Sequence, residues 1–283
     1  MGYRFRLSLC NEVYQGWTLA DMCRSMRGFG YQGIEIAPFT LAEDPARIPA
    51  AQRREYREIM EGEGLYFVGL HWLMAAPKGL HVTTPDEQLR KRSWDHVHAL
   101  IDLCGDLAGD REDCGVMVFG SPKQRCITGG SSREEATKRF IDGLASVADH
   151  AAERRVKVLA EALPSDQCDV LLSLEEAVEI VKQIDHPAIQ TMFDTHNAVE
   201  EKEPHAVLVD RYFDYIRHVH VNEMDGRYPG AGDYDFKPVL EVLARRNFAG
   251  WVSAEVFDFS PGPETIARNT IEHLNREIAQ LGL

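Results

Sequence analysis

Eight short apolar runs alternate along this chain with longer amphipathic stretches, and this alternation constrains the fold more than any other feature. The runs are rich in β-branched residues and begin near Arg4, Tyr31, Tyr66, Gly115, Val156, Ile189, Ile216 and Trp251. Helical periodicity follows the runs, for example over residues 47–63, 86–107, 133–152, 174–184 and 263–281. Strands that alternate with helices predict a parallel sheet with helical crossovers.

The predicted helix ends carry suitable capping residues. Thr18, Ser132 and Ser173 each precede a helical stretch with an acid in its first turn, which is typical of an N-cap. Glycines follow three of the helices, at Gly30, Gly64 and Gly250. A left-handed C-cap turn is expected at each of these glycines.

A count of eight strands and eight helices in 283 residues predicts an α/β fold of the (β/α)₈ TIM-barrel type. The alternative is a doubly wound open sheet, but no run is followed by GxGxxG or GxxxxGK[ST]. Because no linker, low-complexity segment or change in composition interrupts the chain, we expect one domain over residues 1–283. The longest irregular segments all follow strands: 38–49, 75–85, 121–132, 164–171 and 224–235. In a barrel, these loops share one face.

Composition excludes several classes of protein. No window reaches the roughly eighteen apolar residues of a membrane span, and residues 1–10 lack a signal-peptide core, so we expect a cytoplasmic protein with no membrane partner. The six cysteines are scattered without a CxxC pair, which argues against a disulfide scaffold or a zinc finger. A net charge of −14 disfavours nucleic acid as a partner and favours a small neutral or weakly anionic substrate.

Four successive apolar runs end on residues that can bind a hard metal ion: Glu161, Asp194, His220 and Glu255. The carboxyl ends of barrel strands meet on one face, so we expect these side chains to converge. Three carboxylates and one imidazole suit a divalent ion such as Mn²⁺ or Mg²⁺. The alternatives are buried ion pairs with Lys or Arg for the glutamates, and a helix-capping role for Asp194.

Further polar residues are placed near this face by strand alternation. His218 lies on the same side as His220 but deeper, so it either supports the ligand from behind or is a core histidine. Glu35 faces the interior and is expected to orient a ligand or the substrate. His71 and Trp72 offer a hydrogen-bonding and stacking surface for a sugar-like substrate, although Trp72 could equally pack in the core. His196 is expected to contact the substrate.

These strand-end residues, together with residues 230–236 after the seventh strand, resemble the xylose isomerase-like TIM barrels. Within this group the chain is similar to the sugar isomerase/epimerase branch, which contains ketose 3-epimerases, hydroxypyruvate isomerase and inosose isomerase. The resemblance extends over nearly the whole chain. It is more specific for fold and metal than for substrate.

The resemblance implies one Mn²⁺, Mg²⁺ or Co²⁺ ion held by the four strand-end residues, with Mn²⁺ favoured. It implies that Glu161 and Glu255 exchange protons with the substrate, and that His196 and Arg227 bind it. His196 lies one residue closer to Asp194 than in the 3-epimerases, and Arg227 lies one residue further along. By resemblance, we also expect a dimer or a tetramer.

The function that the resemblance and these residues together imply is metal-dependent isomerisation or epimerisation of a ketose or keto-polyol through an enediolate. A lyase or dehydratase, similar to C-glycoside deglycosidases or dehydroshikimate dehydratases, could use the same site to expel a leaving group. A hydrolase of the endonuclease IV type is disfavoured, because the fourth run ends at Gly120-Ser121 without a histidine and the loop with Gly232 lacks Asp-x-His. A non-catalytic sugar-binding barrel would leave four ionisable groups buried without a metal.

Overall fold

A computed structural model describes residues 3–111 and 115–282, and within them eight parallel strands form a closed barrel. The strands are β1 (Leu7–Cys10), β2 (Gly33–Ile36), β3 (Tyr66–Leu70), β4 (Gly115–Phe119), β5 (Val156–Ala160), β6 (Ile189–Asp194), β7 (Ile216–Val221) and β8 (Trp251–Ala254). They follow one another in chain order around the barrel, and β1 pairs with β8 to close it. The predicted (β/α)₈ fold is confirmed.

The same residues contain nine α-helices, one more than the sequence predicts. They are α1 (Leu19–Phe29), α2 (Ala50–Gly62), α3 (Glu87–Ala108), α4 (Pro122–Arg125), α5 (Arg133–Glu153), α6 (Leu174–Ile184), α7 (His205–Tyr212), α8 (Lys237–Arg245) and α9 (Pro263–Gln280). The additional helix is α4, a single turn in the loop after β4. No helix in the described ranges is both long enough and apolar enough to cross a bilayer.

The predicted N-caps are confirmed, because Thr18, Ser132 and Ser173 each accept a hydrogen bond from a backbone N–H in the first turn. Gly30 adopts the left-handed conformation predicted for a C-cap, with φ of 104°. The prediction for Gly250 is wrong. Asn247 takes the left-handed turn after α8, with φ of 53°.

One apolar layer lies on each side of the barrel wall. The larger layer lies between the strands and the helices and includes most of the buried hydrophobic side chains. The smaller layer fills the barrel and consists of Val68, Val116, Val118, Leu159, Met192 and Trp251. Leu159 and Met192 lie two residues before Glu161 and Asp194, so strand alternation directs the acids to the barrel interior as well. The interior core thus ends at its top in a polar layer.

The described cysteines are not joined in disulfides. Cys10 is a fully buried thiol at the end of β1. Cys114 lies outside the described residues. The five described cysteines are free, which agrees with the absence of a disulfide pattern in the sequence.

Candidate metal centre and cavity

Three acids and one imidazole meet at the carboxyl ends of the last four strands. Glu161, Asp194, His220 and Glu255 each offer one ligand atom, and these atoms all lie within 4.8 Å of one another. Strand register explains the convergence, because Asp194 lies directly opposite His220 in the β6–β7 pair. Glu161 and Glu255 each follow the last residue of their strand. All four side chains are buried.

The imidazole of His220 is held from behind by a carboxylate. Its Nε2 lies 3.1 Å from Glu35 Oε1, while its Nδ1 lies 3.0 Å from Glu255 Oε2. Glu35 Oε2 in turn lies 2.8 Å from His218 Nε2. A carboxylate that accepts the proton of one ring nitrogen leaves the other nitrogen free to bind a metal. In this arrangement Nδ1 of His220 faces the three acids.

The residues present fit a divalent cation. Asp194 Oδ2 is buried without a hydrogen-bond partner, although its other oxygen accepts from the Asn197 backbone N–H at 2.8 Å. In the described part of the chain, no Lys or Arg side chain pairs with these three acids. The buried guanidinium of Arg125 donates to the backbone carbonyl of Glu161, at 2.8 Å, instead. Buried acids without a cation are costly, and this donor set matches the preference of Mn²⁺ or Mg²⁺.

The four groups perturb one another's protonation in the metal-free protein. Burial, followed by the carboxylates of Glu255 and Asp194, raises the pKa of Glu161 to about 8. Burial also opposes ionisation of Glu255, but the adjacent His220 outweighs it and lowers that pKa below its usual value. Burial disfavours the charged form of His220, yet Glu35 and then Glu255 raise its pKa well above normal. Two carboxyls on one site with oppositely shifted pKa values are suited to acid–base chemistry.

A cavity of about 450 Å³ opens above the four residues and includes Glu161 and Glu255 in its wall. Aromatic side chains form one side of it: Trp72 and Phe257, whose ring centroids are 6.4 Å apart, and His196. Trp72 is 43% exposed, so its role is not packing in the core. Its indole Nε1 donates to Glu255 Oε1 at 2.7 Å. The wall therefore both shapes the cavity and fixes one of the acids.

His196 presents one defined ring nitrogen to the cavity. Its Nδ1 lies 2.7 Å from the carbonyl oxygen of Met224, so Nδ1 carries the proton and donates it. Nε2 then acts as an acceptor, and it lies 3.5 Å from the amide nitrogen of Gln167. This geometry suits acceptance of a hydrogen bond from a substrate hydroxyl.

His71 also lines the cavity, but its ring is tied to acids below it. Its Nε2 lies 2.7 Å from Glu12 Oε2, and its Nδ1 lies 3.6 Å from Glu35 Oε1. Burial would lower the pKa of His71, but Cys10 and Glu12 raise it well above its usual value. The ring of His71 therefore links Glu12 to the residues beneath the candidate metal centre.

Besides the candidate ligands Asp194 and His220, three residues assigned from the sequence do not line the cavity. Glu35 is fully buried beneath His220 and His218, where its carboxylate contacts these two rings and not the cavity. His218 is also fully buried, and its Nε2 is directed at Glu35. Arg227 is bound to Asp225, with its Nε 2.7 Å from Asp225 Oδ2, because the loop after β7 folds back on itself.

The structure adds residues that the sequence analysis did not select. Asn197 Nδ2 donates to Glu161 Oε1 at 3.0 Å, while Glu12 holds His71. A usable signal existed for both. Glu12 lies two residues after the end of β1, and Asn197 lies three residues after the end of β6 at Asp194. Polar residues just after a barrel strand are expected near the site. No sequence pattern indicated a role for Gly120, because that role depends on its contact with Glu161, which follows the neighbouring strand β5.

Because Gly120 has no side chain, one carboxylate oxygen of Glu161 can occupy the space next to it. A Cβ at residue 120 would overlap Glu161 Oε2, so we expect Gly120→Ala to displace this carboxylate while the barrel stays folded. Metal affinity should fall by about 10- to 100-fold, as for other residues that position a metal ligand. Isothermal titration with Mn²⁺ measures this. The matched control is Gly28→Ala, on the exposed face of α1 with no atom within 4 Å of the added Cβ, which should leave Mn²⁺ affinity unchanged.

The fold and the site together define the class: a (β/α)₈ barrel with a candidate divalent-metal centre at the carboxyl ends of its strands. The chain belongs to the Xylose isomerase-like TIM barrel family, which it matches over residues 23–277. It is 24% identical to a probable ketose 3-epimerase from Synechocystis sp. over 90% of this chain and 85% of that protein. An inosose dehydratase from Clostridium tetani is 26% identical, over 43% of this chain and 47% of that protein.

Among solved structures, the chain is similar to D-psicose 3-epimerase with D-tagatose from Clostridium cellulolyticum H10. That comparison has a TM-score of 0.83 and 18% sequence identity, and covers 98% of this chain and 99% of the other. At this level of identity the likeness supports the fold.

Proposed function

We propose that this protein is a divalent-metal-dependent sugar isomerase or epimerase that moves a proton next to the carbonyl of a ketose or keto-polyol. One observation carries the proposal: Glu161 and Glu255 both belong to the candidate ligand set and both line the same cavity. They come from strands three positions apart around the barrel, so they approach a bound molecule from different sides. The ketose 3-epimerase relative supports the same reaction class.

The carbon acid next to a carbonyl needs help to lose its proton at neutral pH. A divalent ion held by Glu161, Asp194, His220 and Glu255, with Mn²⁺ the favoured species, would supply positive charge beside the substrate oxygens. The two glutamates would transfer the proton. The pKa of Glu161 is raised to about 8 and that of Glu255 is lowered, so the two carboxyls differ in how readily they hold a proton.

Neighbouring side chains fix both carboxylates for this task. Asn197 holds Oε1 of Glu161, and the absent side chain of Gly120 leaves Oε2 next to the cavity. Trp72 holds Oε1 of Glu255. Orientation by such contacts makes proton transfer efficient because the reacting groups do not have to search for their geometry. The aromatic wall of Trp72 and Phe257 would exclude water from the bound substrate.

Exchange of substrate protons with solvent tests the proposal. The Mn²⁺-loaded protein is incubated in D₂O with D-fructose, D-psicose and D-tagatose, and ¹H NMR follows the protons next to the carbonyl. We expect deuterium to enter at one of these carbons and the product to keep the substrate's mass apart from the deuterium. Absence of exchange from a broad panel of ketoses and keto-polyols, with metal bound, would contradict the proposal.

A dehydratase is the second candidate, favoured by the similarity to inosose dehydratase. The same two glutamates would remove a proton next to the carbonyl, but a β-hydroxyl would then leave as water. Mass spectrometry separates the two reactions, because elimination of water lowers the product mass and isomerisation preserves it. The predicted dimer or tetramer and the cytoplasmic location remain predictions.

A further inference from the structure

Two lysines line the cavity on the side formed by the loops after β3 and β4. Lys78 belongs to the β3 loop, and Lys123 lies in α4. Among the lining residues they are the only Lys or Arg side chains. The acids in the wall are Glu161 and Glu255, which belong to the candidate metal centre, and Asp225, which is bound to Arg227. The two ammonium groups are thus not neutralised by the remaining acid.

Neither ammonium group has a hydrogen-bond or ion-pair partner in residues 3–111 and 115–282. Two other exposed lysines are paired: Lys91 Nζ lies 2.7 Å from Asp95, and Lys138 Nζ lies 2.6 Å from Asp142. In those cases an acid one helical turn away accepts the charge. Lys78 and Lys123 lie on irregular or short segments where no acid is placed for them. In a chain with net charge −14, this is a local reversal of sign.

The two loops that carry the lysines are fastened to each other. The backbone N–H of Val82 donates to the carbonyl oxygen of Gln124 at 2.8 Å. The hydroxyl of Thr83 donates to the carbonyl oxygen of Cys126 at 2.9 Å. These contacts lie close in sequence to Lys78 and Lys123, so both lysines belong to one connected part of the wall.

Ser121 adds a neutral donor to this part of the wall. It lines the cavity, and its hydroxyl oxygen is buried without a hydrogen-bond partner. Its backbone is left-handed, with φ of 47°, a conformation that a serine rarely adopts. Ser121 stands between Gly120, which borders Glu161, and Lys123. Ser121, Lys78 and Lys123 therefore line the same cavity as Glu161 and Glu255.

We propose that Lys78, Lys123 and Ser121 form an anion subsite, which binds a carboxylate or phosphate at the end of the substrate remote from the reacting carbonyl. Ammonium and hydroxyl donors are the groups that bind such anions, through charge-assisted hydrogen bonds. The inference rests on the proposed function, and it names the substrate class as an anionic ketose or keto-polyol. The sequence independently favours a neutral or weakly anionic substrate, since the overall negative field opposes a highly charged one.

Binding to charge-matched sugars tests the subsite. The probes are D-fructose, D-fructose 6-phosphate and D-fructuronate, titrated calorimetrically into the Mn²⁺-loaded protein and into Lys78→Met, Lys123→Met and the double variant. We expect an anionic probe to bind more tightly than D-fructose. Each substitution should weaken binding of the anionic probe by about tenfold. This is the lower end of the range for a hydrogen bond to a charged group, because both lysines are exposed. Affinity for D-fructose should change little, and Lys123→Arg should restore most of the anion affinity.

The matched control is Lys202→Met, because Lys202 is exposed and lies outside the cavity wall. Preference for phosphate over carboxylate, or the reverse, identifies which anion the subsite takes. Equal affinity for neutral and anionic probes, unchanged in the double variant, overturns the subsite. If lysine-dependent anion binding occurs without any proton exchange, the subsite stands and the epimerase proposal fails. If neutral ketoses exchange protons at the same rate in the double variant as in wild type, and no anion is preferred, the epimerase proposal stands and the subsite fails.

Discussion

Replacing Glu161 with glutamine should slow substrate proton exchange by about 10²- to 10⁴-fold, the usual contribution of a positioned acid or base. Glutamine keeps the shape of the side chain, and its carbonyl oxygen can still accept from Asn197, but it cannot carry the transferred proton. Glu255→Gln should have an effect of the same size, since Trp72 can still donate to the amide oxygen. Deuterium incorporation from D₂O, followed by ¹H NMR, measures both.

Both glutamates are also candidate ligands, so metal content is measured in each variant. At a Mn²⁺ concentration that saturates both variants, a remaining loss of exchange belongs to proton transfer. Glu179→Gln is the matched control, because Glu179 is an exposed acid on α6, and it should exchange at the wild-type rate. Wild-type exchange in both active-site variants would remove the assignment of these two residues.

Divalent metal should stabilise the protein, and more so as the pH rises from 6 to 8. The folded-state pKa of Glu161 is raised from 4.5 to about 8 in the metal-free protein. Its contribution to stability is present below pH 4.5 and is lost as the pH rises through about 8, because the buried carboxyl must then ionise beside Glu255 and Asp194. The raised pKa of His220 acts in the same direction on metal binding, since a proton on the ring competes with the metal.

Thermal unfolding with Mn²⁺ and with a chelator, at several pH values between 6 and 8, measures this effect. At 100 times the Kd, bound metal contributes about 2.7 kcal/mol. For a protein of this size that corresponds to a rise in Tm of about 5–10 °C. The rise should be smaller at pH 6 than at pH 8. A metal-induced shift that is absent, or that decreases as the pH rises, would contradict the candidate site.

Asp194→Asn separates stability from metal binding. The carboxylate of Asp194 has one buried oxygen that makes no hydrogen bond; it faces Glu161 and Glu255 and lies 3.5 Å from His220 Nδ1. Loss of this charge removes a like-charge repulsion and also an attraction to His220, while the amide oxygen can still accept from the Asn197 backbone N–H. We expect the metal-free variant to be about as stable as wild type, with no metal-induced shift in Tm. A core role for Asp194 would instead destabilise the variant in the presence of chelator.

The candidate ligand set was predictable because it depends on two local patterns. Apolar runs identify the strands, and alternation places Glu161 and Asp194 on the same face as Leu159 and Met192. The carboxyl ends of parallel strands then meet whatever the exact loop structure is. The prediction for Gly250 failed because a nearby residue, Asn247, could also adopt the left-handed turn, and sequence alone did not rank the two.

For residues on the loops, the sequence did not predict which side chains would become neighbours. Arg227 was assigned to substrate, but a neighbouring acid in its own loop, Asp225, binds it. The cavity wall of Lys78, Ser121 and Lys123 was not selected, because lysines in loops are common and only their shared position in space sets them apart. Glu35 was recognised as an interior acid, yet its depth beneath the histidines depends on β7, 183 residues away.

The sequence by itself determined the barrel, the order of its strands and the four residues that close the last four of them. Periodicity is local, and the geometry of a closed parallel sheet converts it into convergence without further information. The tertiary structure alone decided which nitrogen of His220 faces the acids, that Trp72 reaches Glu255, and that two loops hold Lys78 and Lys123 in one wall. Those outcomes depend on hydrogen bonds and packing between segments far apart in the chain, such as the 183 residues between Trp72 and Glu255, and no local pattern encodes such contacts.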